Sequence, residues 1–406
     1  MRIAFVSYEY PLDTNGGGIG TYLRQVAGQL VAAGHAVDVF CGTPGASRRE
    51  ADQGARIHLI RSAGSPAFKE EVTGPFVQAH GAQAYDVVEG CDFDASALRV
   101  HQALPALPYV VKLHTPRFFV DELHHVPTRP WDRVRIALGA IRRLRWPRRV
   151  PIRAGAAARD ELAGIQSAHE VAAPSTAIAR LAREWCGAAL PPVSVFPYPF
   201  VPGPELLAAD PQRSTRRVTY LGRLEARKGV LDLAAAVPLI ARAAPDVHFR
   251  FVGRDQPSPL SGVGMQAYLR KRLAGAPAEV AGPVAPADIP RLLAESDIVV
   301  VPSHWENHAM VCCEAMAAGC AVVASDRGGL PEILDEGRCG RLVPPRRPDL
   351  LAAAVGALLA APAERSALGA AARRRILEHF SAERVLALQL ASYDRAIHRA
   401  RSLAPA

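Results

Sequence analysis

No Cys-x-x-Cys pair occurs in this chain, and its seven cysteines (Cys41, Cys91, Cys186, Cys312, Cys313, Cys320 and Cys339) are odd in number and scattered. A disulfide framework or a zinc site needs paired spacing, so neither is expected to organise the fold. The adjacent Cys312 and Cys313 are expected as small buried hydrophobes. An apolar run of about 18 residues, enough to cross a bilayer, is also missing. The apolar start from Ile3 to Val6 is too short for a leader core and lacks a cleavage pattern, so the chain is expected in the cytoplasm. There is no short internal repeat, no zinc-finger spacing and no RNA-binding aromatic signature, so nucleic acid is not an expected partner.

What the chain does have is length and a local excess of positive charge. Its 406 residues with 49% hydrophobic content are enough for two domains with substantial cores. The net charge is +9, from 48 basic and 39 acidic residues, and nearly all of the excess lies between Arg129 and Arg153, where nine arginines face one acid, Asp132. Val134, Ala137, Leu138, Ile141 and Leu144 recur there at helical spacing. A basic amphipathic stretch suits an anionic membrane surface, so residues 129–153 are a candidate for peripheral contact with the inner face of the membrane. Arg145, which interrupts the apolar stripe, favours the plainer alternative of a packed helix with a solvated basic face.

Strand-like runs near Ile3–Ser7, Val37–Cys41, Ile57–Ile60, Val87–Glu89, Tyr109–Leu113 and Glu170–Ala173 alternate with helical or loop stretches. The pattern restarts near Val218–Leu221, His248–Val252, Glu279–Ala281, Ile298–Val301 and Ala321–Ser325. That alternation predicts an α/β fold with parallel sheets. Between the two series, Pro197, Pro199, Pro202, Pro204 and Pro211 crowd a segment poor in helix and sheet signals. The expected domains are 1–196 and 217–381, with 197–216 as linker and 382–406 as a final helical segment.

Several residues in these runs invite chemistry. Gly16, Gly17, Gly18 and Gly20 follow the first strand and open a helix, a place where backbone N–H groups can face an anion or simply make a tight turn. Arg223 and Lys228 follow a strand and flank the next helix start, which suits a diphosphate held without metal: Arg binds with a planar fork and Lys with a point charge. Glu306 sits on the turn after the apolar run ending at Pro302, and Glu314 lies inside the helix predicted over Ala309–Ala318 and stopped by Gly319. Two acids so spaced suit different hydroxyls of one ligand. Backbone N–H groups from Asn307 through His308 and Ala309 to Met310 open that helix and add a second anion-facing position. His114 ends an apolar strand, where a satisfied core histidine is the usual reading.

These segments together resemble the family 4 retaining glycosyltransferases. The resemblance rests on Glu306-x7-Glu314 followed by Ala315-Met316-Ala317-Ala318-Gly319, then Gly328-Gly329-Leu330-Pro331-Glu332. It extends to Lys112-Leu113-His114-Thr115-Pro116, to Gly222-Arg223-x4-Lys228-Gly229 and to the glycine loop, all in the family's order from Met1 to about Arg399. The run departs from the family pattern at Asn307-His308-Ala309, where His308 stands in place of the usual Phe. The resemblance implies the GT-B fold, two Rossmann-like domains with parallel sheets facing a central cleft, and a last helix that returns to the N-terminal domain. It implies a metal-independent retaining transfer of a hexose-type sugar from a nucleoside-diphosphate sugar to a hydroxyl acceptor, in glycan, glycolipid or glycoconjugate synthesis, with no cofactor. By the same resemblance Gly16–Gly18 approach the donor phosphate and the acceptor, Arg223 and Lys228 grip the diphosphate, and Glu314 binds the ribose. His114 and Glu306 face the donor sugar. Glu332 is equally a ligand or a helix N-terminal charge. Asp92-Phe93-Asp94 matches the metal-binding Asp-x-Asp of another glycosyltransferase fold; that use is set aside, leaving Asp92 as an acceptor-side contact. The rival readings are a nucleotide-sugar epimerase or hydrolase of the same fold and a non-catalytic protein that binds anionic membranes.

Overall fold

The structure, a computed structural model, describes residues 1–14, 17–124, 155–258 and 263–403. The basic stretch 129–153 and Gly16 lie outside the described residues. The chain forms two compact units, with passages between them that include Phe200/Val201 and His379/Phe380.

The first unit carries eight strands: β1 (Arg2–Val6), β2 (Ala36–Thr43), β3 (Arg48–Asp52), β4 (Ala55–Arg61), β5 (Val87–Cys91), β6 (Tyr109–Lys112), β7 (Glu170–Ala173) and β8 (Val193–Val195). They pair in the order β3-β4-β2-β1-β5-β6-β7-β8, all parallel except β3, which runs antiparallel to β4. Ile3, Ala4 and Phe5 of β1 are fully buried, as a central parallel strand covered on both faces requires. The strand order reverses beside β1, so the loops leaving β1 and β5 diverge at a topological switch point, where ligands bind in open α/β sheets.

Helix Ala382–Leu403 packs on this unit against β5, β6 and β7. Its Gln389 and Tyr393 reach buried Glu89 on β5: the amide donates at 2.5 Å and the phenol at 2.9 Å, both to Oε2. Tyr22, from helix Gly18–Ala32, donates to the other oxygen at 2.8 Å. Burial pushes the Glu89 carboxyl up, against the pull of Lys112 and of these three donors. Removing one donor strands part of a buried carboxyl, so Gln389→Leu should lower unfolding stability by about 2–3 kcal/mol. Urea unfolding at neutral pH checks this, and an unchanged midpoint would remove Glu89 as an organiser of the unit.

The second unit carries β9 (Arg217–Leu221), β10 (His248–Val252), β11 (Ala278–Ala281), β12 (Ile298–Val301), β13 (Ala321–Ser325) and β14 (Arg341–Val343), paired in the order β11-β10-β9-β12-β13-β14, all parallel. Val218, Phe249, Ile298 and Val323 from the sheet pack with Leu233 and Val237 of helix Val230–Ala243 in one buried cluster. Here the order reverses between β9 and β12. Within the segment expected as linker, Pro204–Leu207 forms a helical turn packed against helices Ile289–Ala294 and Met310–Ala317. All seven cysteines are free and buried. Among the described residues no single helix is long and apolar enough to cross a membrane.

Candidate functional site

The loops leaving β9 and β12 bring Arg223, Lys228 and Glu306 to the switch point of the second unit. After β9 the chain is pinned by Tyr220, whose hydroxyl donates to the Arg223 carbonyl at 2.6 Å, and turns through Ala226–Lys228. Arg227 then stitches the two loops together. Its guanidinium donates to Glu225 Oε1 at 2.8 Å and to the Trp305 carbonyl at 3.3 Å, and its own carbonyl accepts from His304 N–H at 2.8 Å. Arg223 also reaches Glu225 Oε1, at 3.2 Å, but its side chain remains half exposed.

Lys228 Nζ donates to Glu306 Oε1, which also accepts from Ser303 Oγ at 2.9 Å. Burial opposes charge on both partners. At Glu306 it is outweighed by the cations of Lys228 and Arg227 and by the two donors, so the carboxyl lies below the usual carboxylate range. At Lys228 burial prevails over the attraction of Glu306, and the amine is held below its ordinary value. The result is a carboxylate seated against cations at the end of a strand.

Helix Met310–Ala317 follows, with Ala309 as an N-cap that makes no side-chain hydrogen bond. Asn307 and Ala309 are buried, while His308 and Met310 are partly exposed. Glu314 lies on this helix, partly buried, and no hydrogen bond or ion pair among the described residues engages its carboxylate. Burial alone raises it to about 7. Glu332 opens helix Leu330–Ile333, and its carbonyl accepts from Arg375 at 2.6 Å.

In the first unit, Gly17 is the N-cap of helix Gly18–Ala32, and a Cβ there would lie 2.7 Å from Glu9 Oε2, the mobile end of that side chain. A Cβ on Gly18 would meet open space. His114, just beyond β6, places Nδ1 2.5 Å from the Tyr198 hydroxyl and its ring edge-on to Tyr22, with centroids 5.1 Å apart. Burial, reinforced by Lys112, holds the imidazole well below its ordinary value.

Asp92 differs from its expected part as an acceptor contact. Its side chain is buried, and its two oxygens accept from the backbone N–H groups of His114 at 2.8 Å and Thr115 at 3.1 Å. A carboxylate so occupied anchors the His114 turn, holding Thr115 at φ 136°, and is shielded from an incoming sugar. Its neighbour Asp94 pairs instead with Arg117, at 3.1 and 3.2 Å.

Sequence reasoning missed Glu225, Arg227 and Tyr198. Glu225 and Arg227 read as ordinary solvated charges until a fold buries them, and Tyr198 lay within the Pro-rich segment assigned to the linker. One signal was available: charges alternating in sign over Arg223–Lys228 beside a strand end.

Comparison with known proteins fits this geometry. The family described as Glycosyl transferases group 1 matches residues 215–361, and the Glycosyl transferase 4-like domain matches residues 17–199. MMP alpha-(1->4)-mannosyltransferase of Mycolicibacterium hassiacum is 27% identical over 434 residues, spanning 98% of this chain and 99% of that relative. Sucrose-phosphate synthase from Thermosynechococcus elongatus superposes with a TM-score of 0.74 at 22% identity, covering 98% of this chain and 100% of its own. Anabaena HepE, in complex with UDP-glucose, does so with a TM-score of 0.65 at 20% identity, covering 97% of this chain and 100% of its own. The structural likenesses show a GT-B fold. With two consecutive domains of one enzyme family matched over most of its length, this chain belongs to the group 1, family 4 glycosyltransferases.

Proposed function

We propose that the protein moves a hexose-type sugar, with retention and without metal, from a nucleoside-diphosphate sugar to a hydroxyl acceptor in glycan or glycolipid synthesis. The observation that carries this reading is the set of Arg223, Lys228 and Glu306 at the β9/β12 switch point, tied together through Glu225 and Arg227. Loss of a nucleoside diphosphate builds negative charge on its oxygens, and fixed cations stabilise that charge in the transition state. In the transfer, the bond from the sugar carbon to the phosphate oxygen breaks and the bond to the acceptor oxygen forms on the same face. The acceptor's proton passes to the departing phosphate. Glu306 faces the sugar and Glu314 takes the ribose diol, since an ionised carboxylate accepts two hydrogen bonds.

Metal-free thermal stabilisation by UDP, GDP, ADP and dTDP tests the donor site, because a ligand of the native state raises stability with occupancy. One base should give a selective shift, and Glu314→Gln should lose it. Only ionised Glu314 accepts both bonds, so nucleotide affinity should rise as pH rises through about 7 and then level off. No shift from any nucleotide would sink the transferase reading.

A further inference from the structure

Two segments of the second unit run side by side: residues 227–232 lead from the β9 loop into helix Val230–Ala243, and residues 302–306 leave β12. They touch at Gly229, where φ is +71° and a Cβ would lie 1.9 Å from the Pro302 carbonyl oxygen. At one end stands the Lys228–Glu306 pair. At the other, His304 Nε2 lies 2.9 Å from Asp232 Oδ2 in the first turn of the helix, and the two side chains are only 11% and 13% exposed. A carboxylate only accepts, so Nε2 is the donor. The same Oδ2 accepts from Arg346 N–H at 3.0 Å, which fixes the carboxylate from another side. Between the two ends, the His304 N–H donates to the Arg227 carbonyl at 2.8 Å. Neither His304 nor Asp232 has a part in the chemistry above, yet they close the frame in which Lys228 meets Glu306.

The geometry points to His304 and Asp232 as positioning residues: their hydrogen bond clasps the two segments together and so holds the Lys228 ammonium against the Glu306 carboxylate. What the held pair then does rests on the transferase reading above; how it is held does not. Asp232 is four residues from Lys228, and His304 is two from Glu306. Over so short a span, loss of the clasp loosens both members of the pair at once. A preorganised charge acts only while its place is fixed, so the loosened pair should cost rate.

The chain's lysines are Lys69, Lys112, Lys228 and Lys271, so ¹⁵N-lysine labelling of the full chain reads the pair directly, with Lys228 assigned by its loss in Lys228→Met. The wild type should show a slowly exchanging Lys228 ammonium. His304→Leu should broaden that signal away and leave Lys69, paired with Asp160 in the first unit, unchanged. His304→Gln, which returns an N–H donor, should keep it. In turnover, His304→Leu should lower kcat about tenfold, the order of one hydrogen bond, with donor KM within about threefold. Asp232→Leu enters from the other partner and should match it in spectrum and rate. In the Lys228→Met background the His304 change should cost less than about twofold, because no ammonium is left to place. A second full loss there would mean a merely structural role and overturn the proposal. An unprotected Lys228 in the wild type would overturn it without any variant, and so would an unaltered Lys228 signal in His304→Leu. The expected spectra in a protein that turns over no nucleotide-sugar would sink the transferase reading and leave the clasp standing.

Discussion

Lys228→Met should lower turnover by about two to three orders of magnitude, the usual cost of deleting one preorganised charge at a centre where negative charge develops. The substitution keeps the length and apolar body of the side chain, so the loss measures the ammonium. It also leaves Glu306 without its main cation in a buried setting, so the carboxyl should move upward. Lys228→Met and the pair Lys228→Met with Glu306→Gln therefore separate two effects. If catalysis needs the cation itself, the double variant should be no faster than the single one. Should the double variant recover turnover, the harm came from an unpaired carboxyl. Arg223→Ala is expected to cut turnover with little effect on stability, because its side chain is half exposed and its one ion pair is shared with Arg227. Steady-state kinetics with fold checked by circular dichroism would decide the matter, and a Lys228→Met enzyme within about threefold of wild type would remove Lys228 from the machinery.

Gly328→Ala should be nearly as damaging although residue 328 contributes no functional group. Gly328 has φ +66°, and a Cβ there would lie 1.8 Å from the Glu306 carbonyl oxygen, the same oxygen that accepts from Gly329 N–H at 2.8 Å. A methyl group adds the left-handed backbone penalty and forces the Glu306 turn outward. The stability loss should be about 2–4 kcal/mol. A displacement of about 1 Å at Glu306 is enough to cost on the order of 100-fold in kcat. Thermal denaturation and kinetics on the same preparation provide the check. Wild-type kcat in a destabilised variant would mean that Glu306 does not depend on this contact.

How much of this was legible in the sequence varies by element. The central strands β1, β2, β5, β6, β9, β10, β12 and β13 are apolar because they are covered on both faces, and their runs were found. The missed strands lie at the sheet edges. The Arg48–Asp52 strand is almost wholly charged and exposed, and Val193–Val195 and Arg341–Val343 are three residues each, too short to show a period. Helix Met310–Ala317 fell within a residue of its expected bounds because Gly319 stops it. In the site, Arg223, Lys228 and Glu306 were readable as residues, and the fold brings them together. What links them was not readable: Arg227 donates to a carbonyl 78 positions away, and sequence spacing carries no trace of such a contact. The backbone contacts of Asp92 were unreadable for a related reason. A carboxylate after a strand looks the same in sequence whether it meets a ligand or its neighbours' amides.

The Glu89 cluster bears on how the chain is made. Glu89 waits for Gln389, 300 residues later, to complete its hydrogen bonds. At about 5–20 residues per second, the ribosome delivers that partner roughly 15–60 s after β5 emerges. Through that interval the first unit lacks its last helix, and the surface of β5 and β6 that the helix covers stays open, while the Val201–His379 part of the second unit can fold without it. The Val201–His379 part of the chain can therefore settle while the first unit still waits for the helix that completes it.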